Sequence, residues 1–433
     1  MKYKTIIDKY NKEQNSLSMD EIEMRLPPEL FHIPPILINI ANIQPSCYYI
    51  QNLLVIFRSP LDLHYLCKKT RKDITNMNNL YFPAEWERQS AIQLTWPHAD
   101  TDWNEYLDEI NKTYVEMADA ITKHEGLIVV TPHPENVKKL LECKLTAGQM
   151  ARVTIHQCPT NDTWARDHGF ISLKEKDSLS QDGKDGLTLL DFRFNGWGEK
   201  FQADLDTRIN RSLHDNGIIK GNYIDLNDFV LEGGSVESDG KGTVFTTSCC
   251  LLAPNRNQPL TQEEIELKLK DYLHADRIVW IDYGELIGDD TDGHIDTLVR
   301  TAPDDTLVYV GCDDPADEQY RGLHMMEEQL KTFKTTDGKP YRLLRLPVPD
   351  AMCFDGERLP ATYANFIVIN DAVIYPTYNQ PENDEEARRI IQQAFPDREM
   401  IGIDSSIVVR QHGSLHCCSM QIPECHNEQS KQI

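Results

Sequence analysis

Three carboxylates, a histidine and a cysteine stand in four short clusters: Arg166-Asp167, Glu232-Gly233-Gly234, Gly293-His294-Ile295-Asp296 and Gly413-Ser414-Leu415-His416-Cys417-Cys418. These residue types answer what a planar guanidinium asks of a protein. That group is cationic and offers five N–H donors in a rigid fork, so carboxylates accepting paired N–H bonds are its natural clamp. Cutting it means attacking the central carbon and expelling ammonia. A thiolate is a strong nucleophile for that step where water is a poor one. A histidine can protonate the leaving nitrogen and later activate water.

The spacing adds a second signal. Asp167 to Glu232 is 65 residues, Glu232 to Asp296 is 64, and Asp296 to Cys417 is 121, about two of the shorter steps. A fixed period with a polar cluster at each beat points to repeated modules whose ends meet at one place.

Each cluster has its own logic. His294 and Asp296 sit two apart among Ile295, Leu298 and Val299, which reads as a strand whose period of two puts both on one face. Glu232 ends the apolar run Phe229-Val230-Leu231 beside two glycines, placed to orient the histidine from its far side. Asp167 lies in a dense polar loop with Trp164, free for substrate while Arg166 pairs with a carboxylate. If residues 416–418 are extended, only one of Cys417 and Cys418 reaches the site, and His416 faces away from Cys417. The residues themselves do not choose between the two cysteines, since a free cysteine is often simply core. Blander readings stand beside the others: a surface ion-pair loop, a turn glutamate, a satisfied core histidine. Zinc held by His412, His416, Cys417, Cys418, Cys425 and His426 is a rival, but the crowd matches no structural zinc spacing. No metal and no cofactor is expected, and no glycine-rich phosphate loop follows a strand.

The elements that must carry these clusters alternate. Ala91–Trp96 reads as a strand and Asp102–His124 as a helix, with Tyr106, Ile110, Tyr114, Met117 and Ile121 three or four apart. Gly126–Val130 is a strand and Glu135–Leu145 a helix. The alternation continues through Leu187–Leu190, Arg208–Leu213, Glu263–Tyr272, Ile278–Trp280, Leu307–Val310, Glu327–Phe333, Phe366–Ile369, Glu385–Phe395 and Met400–Ile403. Interleaved strands and helices mark an α/β or α+β fold. Residues 1–76 show no sustained period and carry 10 Lys+Arg against 8 Asp+Glu, so the acidic excess lies beyond them. They read as an N-terminal extension outside a catalytic domain at 77–433: either a segment seldom made, with Met77 the true start, or a small docking segment.

Composition narrows the partners. The formal charge of −25 argues against nucleic acid, which needs clustered Lys and Arg, and suits a cationic ligand. Eleven irregularly spaced cysteines in a chain this large read as reduced thiols of a cytoplasmic protein. The apolar stretch 33–57 is broken by prolines and amides, short of the ~18 uninterrupted residues of a membrane span. A homo-oligomer is left open.

Together, Trp164-Ala165-Arg166-Asp167, Leu231-Glu232-Gly233-Gly234, Asp292-Gly293-His294-Ile295-Asp296 and Leu415-His416-Cys417 resemble the agmatine deiminases. These are close to the bacterial-type peptidylarginine deiminases of the guanidino-modifying superfamily. Pro83-Ala84-Glu85-Trp86-Glu87 and Thr95-Trp96-Pro97-His98 resemble the opening of that family's domain, and the likeness runs over about 79–423. It implies a five-bladed α/β propeller (pentein) with pseudo-five-fold repeats and catalytic groups at the axis. It implies Cys417 as nucleophile, His294 as proton shuttle, Glu232 as its holder, and Asp167 and Asp296 as the clamp. The implied reaction is agmatine to N-carbamoylputrescine and ammonia, serving putrescine synthesis. Free arginine or peptidylarginine is the alternative substrate, and a guanidino-binding protein the non-enzyme reading. Trp96, Asp102 and Trp197 are candidates for the substrate's far end, and Arg166 is a further candidate binding residue. The family's last motif is richer in glycine than Gln411-His412-Gly413, which leaves His412 able to touch substrate.

Overall fold

The computed structural model describes residues 79–176 and 186–425, so the extension expected over residues 1–76 lies outside the described residues. One strand order recurs along the chain. Ile171–Glu175 runs antiparallel to Leu187–Arg193, and Gly221–Val230 returns parallel to that second strand after the helix Ile209–Asp215. The same order is built by Val236–Ser238, Thr243–Thr247 and Arg277–Ile281 around the helix Gln262–Tyr272. It returns in Val299–Ala302, Thr306–Gly311 and Arg342–Pro347 with the helix Tyr320–Leu330. Ile367–Ile369, Ala372–Thr377 and Glu399–Asp404 repeat it with Pro381–Ala394.

The fifth unit joins the two ends of the domain. Ser419–Pro423 pairs antiparallel with Gln89–Thr95, and Gly126–Thr131 lies parallel to the latter after the helix Leu107–His124. Val153–Gln157 adds a fourth strand there, and Leu80–Tyr81 adds one to the first unit. Among the described residues the sheets are separate and none closes on itself.

Local chemistry explains the elements. The helix Leu107–His124 buries Ile110, Tyr114, Met117 and Ile121 on one stripe, each contributing about 1.5–3 kcal/mol. Asp108 and Glu109 in its first turn and Lys123 and His124 in its last complement the helix dipole. Gln262–Tyr272 opens with a capping box between Thr261 and Glu264. The middle strand Thr306–Gly311 is buried throughout, as the Leu-Val-Tyr-Val run requires. No helix among the described residues is long and apolar enough to cross a membrane.

This layout has one consequence for chemistry. The turn entering the first strand of each unit carries a polar cluster: Ala165–His168, Gly233–Ser235, Ile295–Thr297, residues 362–366 and residues 415–418. The apparent double step from Asp296 to Cys417 therefore contains a fifth turn, which holds Asn365.

Candidate active site

His294 and Asp296 do not lie on a strand. His294 caps a 3-10 turn over Ile295–Thr297, and the strand starts at Val299. The apolar neighbours Ile295 and Leu298 are core, and the turn, rather than a period of two, sends both polar side chains the same way. Residues 415–418 likewise form a turn and not an extended segment. The His416 ring is buried, with its Nδ1 2.7 Å from Asp296 Oδ2.

Three of the expected residues meet around Gly234, and a fourth, Cys417, adjoins one of them. A Cβ placed there would lie 2.6 Å from His294 Nδ1, 2.8 Å from Asp167 Oδ1 and 3.3 Å from Asp296 Oδ2. Cys417 Sγ is 3.8 Å from Asp296 Oδ2. A Glu232 carboxylate oxygen and a His294 ring nitrogen lie within 4.8 Å of each other. All five expected catalytic residues are buried. Both cysteines belong to the same core cluster, but the Cys418 thiol lies beside the Tyr114 hydroxyl. Gly234→Ala is expected to lower kcat/KM about 100-fold with the fold intact, because a shift near 1 Å in a catalytic group costs that much. Steady-state ammonia release alongside thermal unfolding measures both halves of that statement.

The electrostatics fit a cation. Burial, then Asp296 and Glu232, push the Asp167 carboxyl well above its usual range. Burial raises Glu232 despite Arg256. Burial alone would raise Asp296 too, but the hydrogen bond and charge of His416 outweigh it and hold that carboxyl low. Desolvation drives His294 down to about 4. Burial, with Asp296 and Asp167, pushes the Cys417 thiol well up. A guanidinium between the carboxylates would favour every anionic form at once. Several buried atoms of these residues make no hydrogen bond: both His294 ring nitrogens, Asp296 Oδ1 and Glu232 Oε2, with His294 Nδ1 3.6 Å from Asp167 Oδ1.

Trp197 reaches the site through an unusual backbone. Residues 196–199 all have positive φ (66°, 55°, 85° and 66°), and the non-glycine members each cost about 1–2 kcal/mol there. The strain delivers the Trp197 indole N–H to Asp167 Oδ2 at 2.9 Å, while Gly234 N–H donates to Oδ1 at 3.1 Å. Trp197 thus holds the Asp167 carboxylate directly.

Two expectations change. Trp96 donates its N–H to Asn111 and packs edge-on against Tyr114, which makes it a core residue rather than one of the polar groups around Gly234. Arg166 does not pair with a carboxylate. Its Nη1 donates to Gln421 Oε1 at 2.6 Å, its Nε to the His416 carbonyl at 3.4 Å, and its backbone N–H to the Cys417 carbonyl. It shapes the cysteine turn from behind. Asp102 is exposed, and its carbonyl accepts from Gln411. His412 sits at φ 64° with Nδ1 2.6 Å from the Gly288 carbonyl.

Sequence reasoning missed three residues. Asn365 accepts the backbone N–H groups of His416 and Cys417 on Oδ1 and donates Nδ2 to Asp296 Oδ2 at 3.1 Å. Arg256 clamps Glu232 Oε1 with Nε at 2.8 Å and Asp292 Oδ2 with Nη1 at 2.9 Å. Glu85 lies 2.8 Å from His416 Nε2. Two of them had a signal: Asn365 occupies the skipped beat, and Glu85 stands in the Pro83-Ala84-Glu85-Trp86-Glu87 motif.

Known proteins share this chain's pattern. The family model for Porphyromonas-type peptidyl-arginine deiminases matches residues 81–423. A Porphyromonas gingivalis structure provisionally named an arginine deiminase is 46% identical, covering 80% of this chain and 98% of that one at a TM-score of 0.73. A variant of the C. jejuni agmatine deiminase solved with substrate bound is 36% identical, covering 80% and 97% at 0.71. A Vibrio parahaemolyticus protein provisionally named an agmatine deiminase is 31% identical over 373 residues, covering 80% of this chain and 97% of its own.

Proposed function

We propose, from the premise that the chain belongs to the family of Porphyromonas-type peptidyl-arginine deiminases, that this hydrolase of guanidino C–N bonds acts on agmatine through a covalent cysteine intermediate. The carrying observation is the state of the cations beside the shuttle. Arg256 and Lys200 both act on His294, and both are already engaged: Arg256 by Glu232 and Asp292, Lys200 by Asp292 at 2.8 Å. A tail carboxylate reaching either cation would have to break one of these pairs, whereas an amine tail leaves them alone.

The chemistry follows from the groups present. Asp167 and Asp296 grip the guanidinium by its N–H forks. The bound cation favours ionisation of Cys417, whose proton passes to His294. The thiolate adds to the central carbon, and His294 delivers that proton to a terminal nitrogen, which leaves as ammonia. The C–S bond remains in a thiouronium that keeps the positive charge. His294 then takes a proton from water as the oxygen adds. The C–S bond breaks to give the ureido product, and Cys417 recovers its proton. Glu232, braced by Arg256, holds His294 throughout. The five sheets with one strand order are, in this reading, the blades of a pentein propeller whose entering turns meet on its axis. A cytoplasmic place in putrescine formation belongs to the same proposal.

Ammonia release measured side by side from agmatine, free arginine and an arginyl peptide tests the substrate. Agmatine is expected to give the highest kcat/KM by at least tenfold. A peptide or arginine that turns over better overturns the agmatine assignment while leaving the chemistry standing.

A further inference from the structure

We propose that His416 is a positioning residue for the guanidinium clamp: a buried imidazolium that fixes Asp296 from behind and ties it to a charged cluster deeper in the fold. The inference rests on the deiminase reading of the site. His416 Nδ1 is 2.7 Å from Asp296 Oδ2, and Nε2 is 2.8 Å from Glu85 Oε2. An ionised carboxylate only accepts, so each contact needs an N–H on the ring, and a neutral imidazole carries one. Glu85 is ionised by its surroundings: Arg300 Nη2 bonds to the same Oε2, and the Val368 N–H donates to Oε1 at 2.7 Å. Arg300 Nη2 also lies 3.0 Å from His416 Nε2; a neutral ring could accept that N–H, but it would then set its Nε2 lone pair 2.8 Å from the Glu85 carboxylate, so both groups are assigned as donors converging on Glu85.

Charge balance leads to the same state. The groups facing His416 are Asp296 from the Ile295–Thr297 turn, Glu85 from the segment before Gln89–Thr95, and Arg300 from Val299–Ala302. Arg166, from Ala165–His168, donates to the His416 carbonyl, and Glu237, which accepts from Arg300, has a carboxylate oxygen within 4.8 Å of a His416 ring nitrogen. Three carboxylates against two guanidinium groups leave one buried negative charge, which an imidazolium cancels. Uncompensated buried charge is costly enough to make that the stable arrangement. With both nitrogens committed, His416 has no capacity to act as the base for Cys417, although it is its chain neighbour.

The consequence for the site is orientation. His416 and Asn365 together saturate Asp296 Oδ2, and Oδ1 is left without a protein partner. That oxygen is the one free to take a guanidinium N–H.

The test uses His416→Asn, whose amide retains an N–H near Asp296 but has no charge and does not reach Glu85. KM for the best guanidino substrate is expected to rise and kcat/KM to fall about 100-fold. The acid limb of the kcat/KM profile should move to higher pH, because Asp296 loses its neighbouring cation and protonates sooner as pH falls. Glu85→Gln should move the limb the same way by less. A merely structural role lowers the melting temperature without moving that limb. Independently of turnover, long-range nitrogen-15 spectra of histidine-labelled wild-type protein should show His416 protonated on both ring nitrogens at pH 8. Its signal is identified by loss in His416→Asn or displacement in Glu85→Gln. A neutral ring at pH 8, or a folded His416→Asn with unchanged KM and acid limb, overturns the proposal. Wild-type protein that releases no ammonia sinks the deiminase reading instead, and the spectra still decide the state of His416.

Discussion

Cys417→Ala is expected to lose at least about 10⁴-fold in ammonia release while binding guanidino substrate within a few-fold of wild type. The asymmetry follows from where the sulfur sits. The proposed clamp, Asp167 and Asp296, is held by Trp197, Gly234, His416 and Asn365, and none of those contacts runs through Sγ. Sγ approaches Asp296 Oδ2 at 3.8 Å, too long to hold that carboxylate in place. Cys418→Ala should behave oppositely. It removes a small buried group from the core around Tyr114, costing stability of about 1–2 kcal/mol and leaving kcat within severalfold. Activity that survives in Cys417→Ala but disappears in Cys418→Ala would move the nucleophile by one residue.

The same thiol gives a pH signature. Burial, Asp296 and Asp167 raise the Cys417 pKa, so without substrate its thiolate fraction at pH 7 lies below that of an ordinary cysteine. Alkylation of Cys417 by iodoacetamide, followed by mass, should climb about tenfold per pH unit with no plateau below pH 9. An early plateau would mean that the free enzyme already holds a thiolate.

The alternation of elements was legible because it is written in burial. Expected helices at 102–124 and 385–395 fall on Leu107–His124 and Pro381–Ala394, where an apolar stripe faces a sheet. The helix expected over 327–333 begins earlier, at Tyr320, because Leu323 and Met326 supply a stripe that the shorter window cut off. The chemistry-bearing turns were legible as clusters, but their conformation was not. His294 to Leu298 has the residue pattern of a strand, and the 3-10 turn there is fixed by a local bond, Thr297 back to the His294 carbonyl, together with Ile295 and Leu298 entering the core. Asn365 escaped because it is one amide in the apolar run Tyr363-Ala364-Asn365-Phe366-Ile367. It acts by satisfying backbone N–H groups, a role that a lone amide fills without charged neighbours. Arg256 escaped for a different reason. It lies 24 residues from Glu232 in a polar loop, where nothing local separates it from a surface cation.

Arg256→Met should therefore be among the most damaging changes outside the reacting groups. The Arg256 and Glu232 side chains are 1% and 0% exposed, so their ion pair has no water to fall back on. Removing the guanidinium leaves Glu232 buried with its charge uncompensated, which costs about 3–5 kcal/mol out of a total stability of about 5–15 kcal/mol. The pH dependence has a definite sign. Burial already places the folded Glu232 pKa above its unfolded value, and Arg256 opposes that shift. Without Arg256 the folded pKa rises further. The variant's deficit should then be smallest below the unfolded pKa and grow as pH rises through the folded one. Urea unfolding at pH 5 and pH 8 measures this, with the larger loss expected at pH 8. Activity should fall as well, because a protonated Glu232 no longer offers His294 an anionic neighbour. The decisive protein is the double variant, Arg256→Met with Glu232→Gln. Taking out both charges should restore most of the stability, since a buried pair replaced as a unit costs little, yet turnover should stay low because His294 has lost its holder. A double variant as unstable as Arg256→Met alone would mean that the loss comes from the Arg256 contacts to Asp292 and Thr291, and that Glu232 tolerates burial by itself.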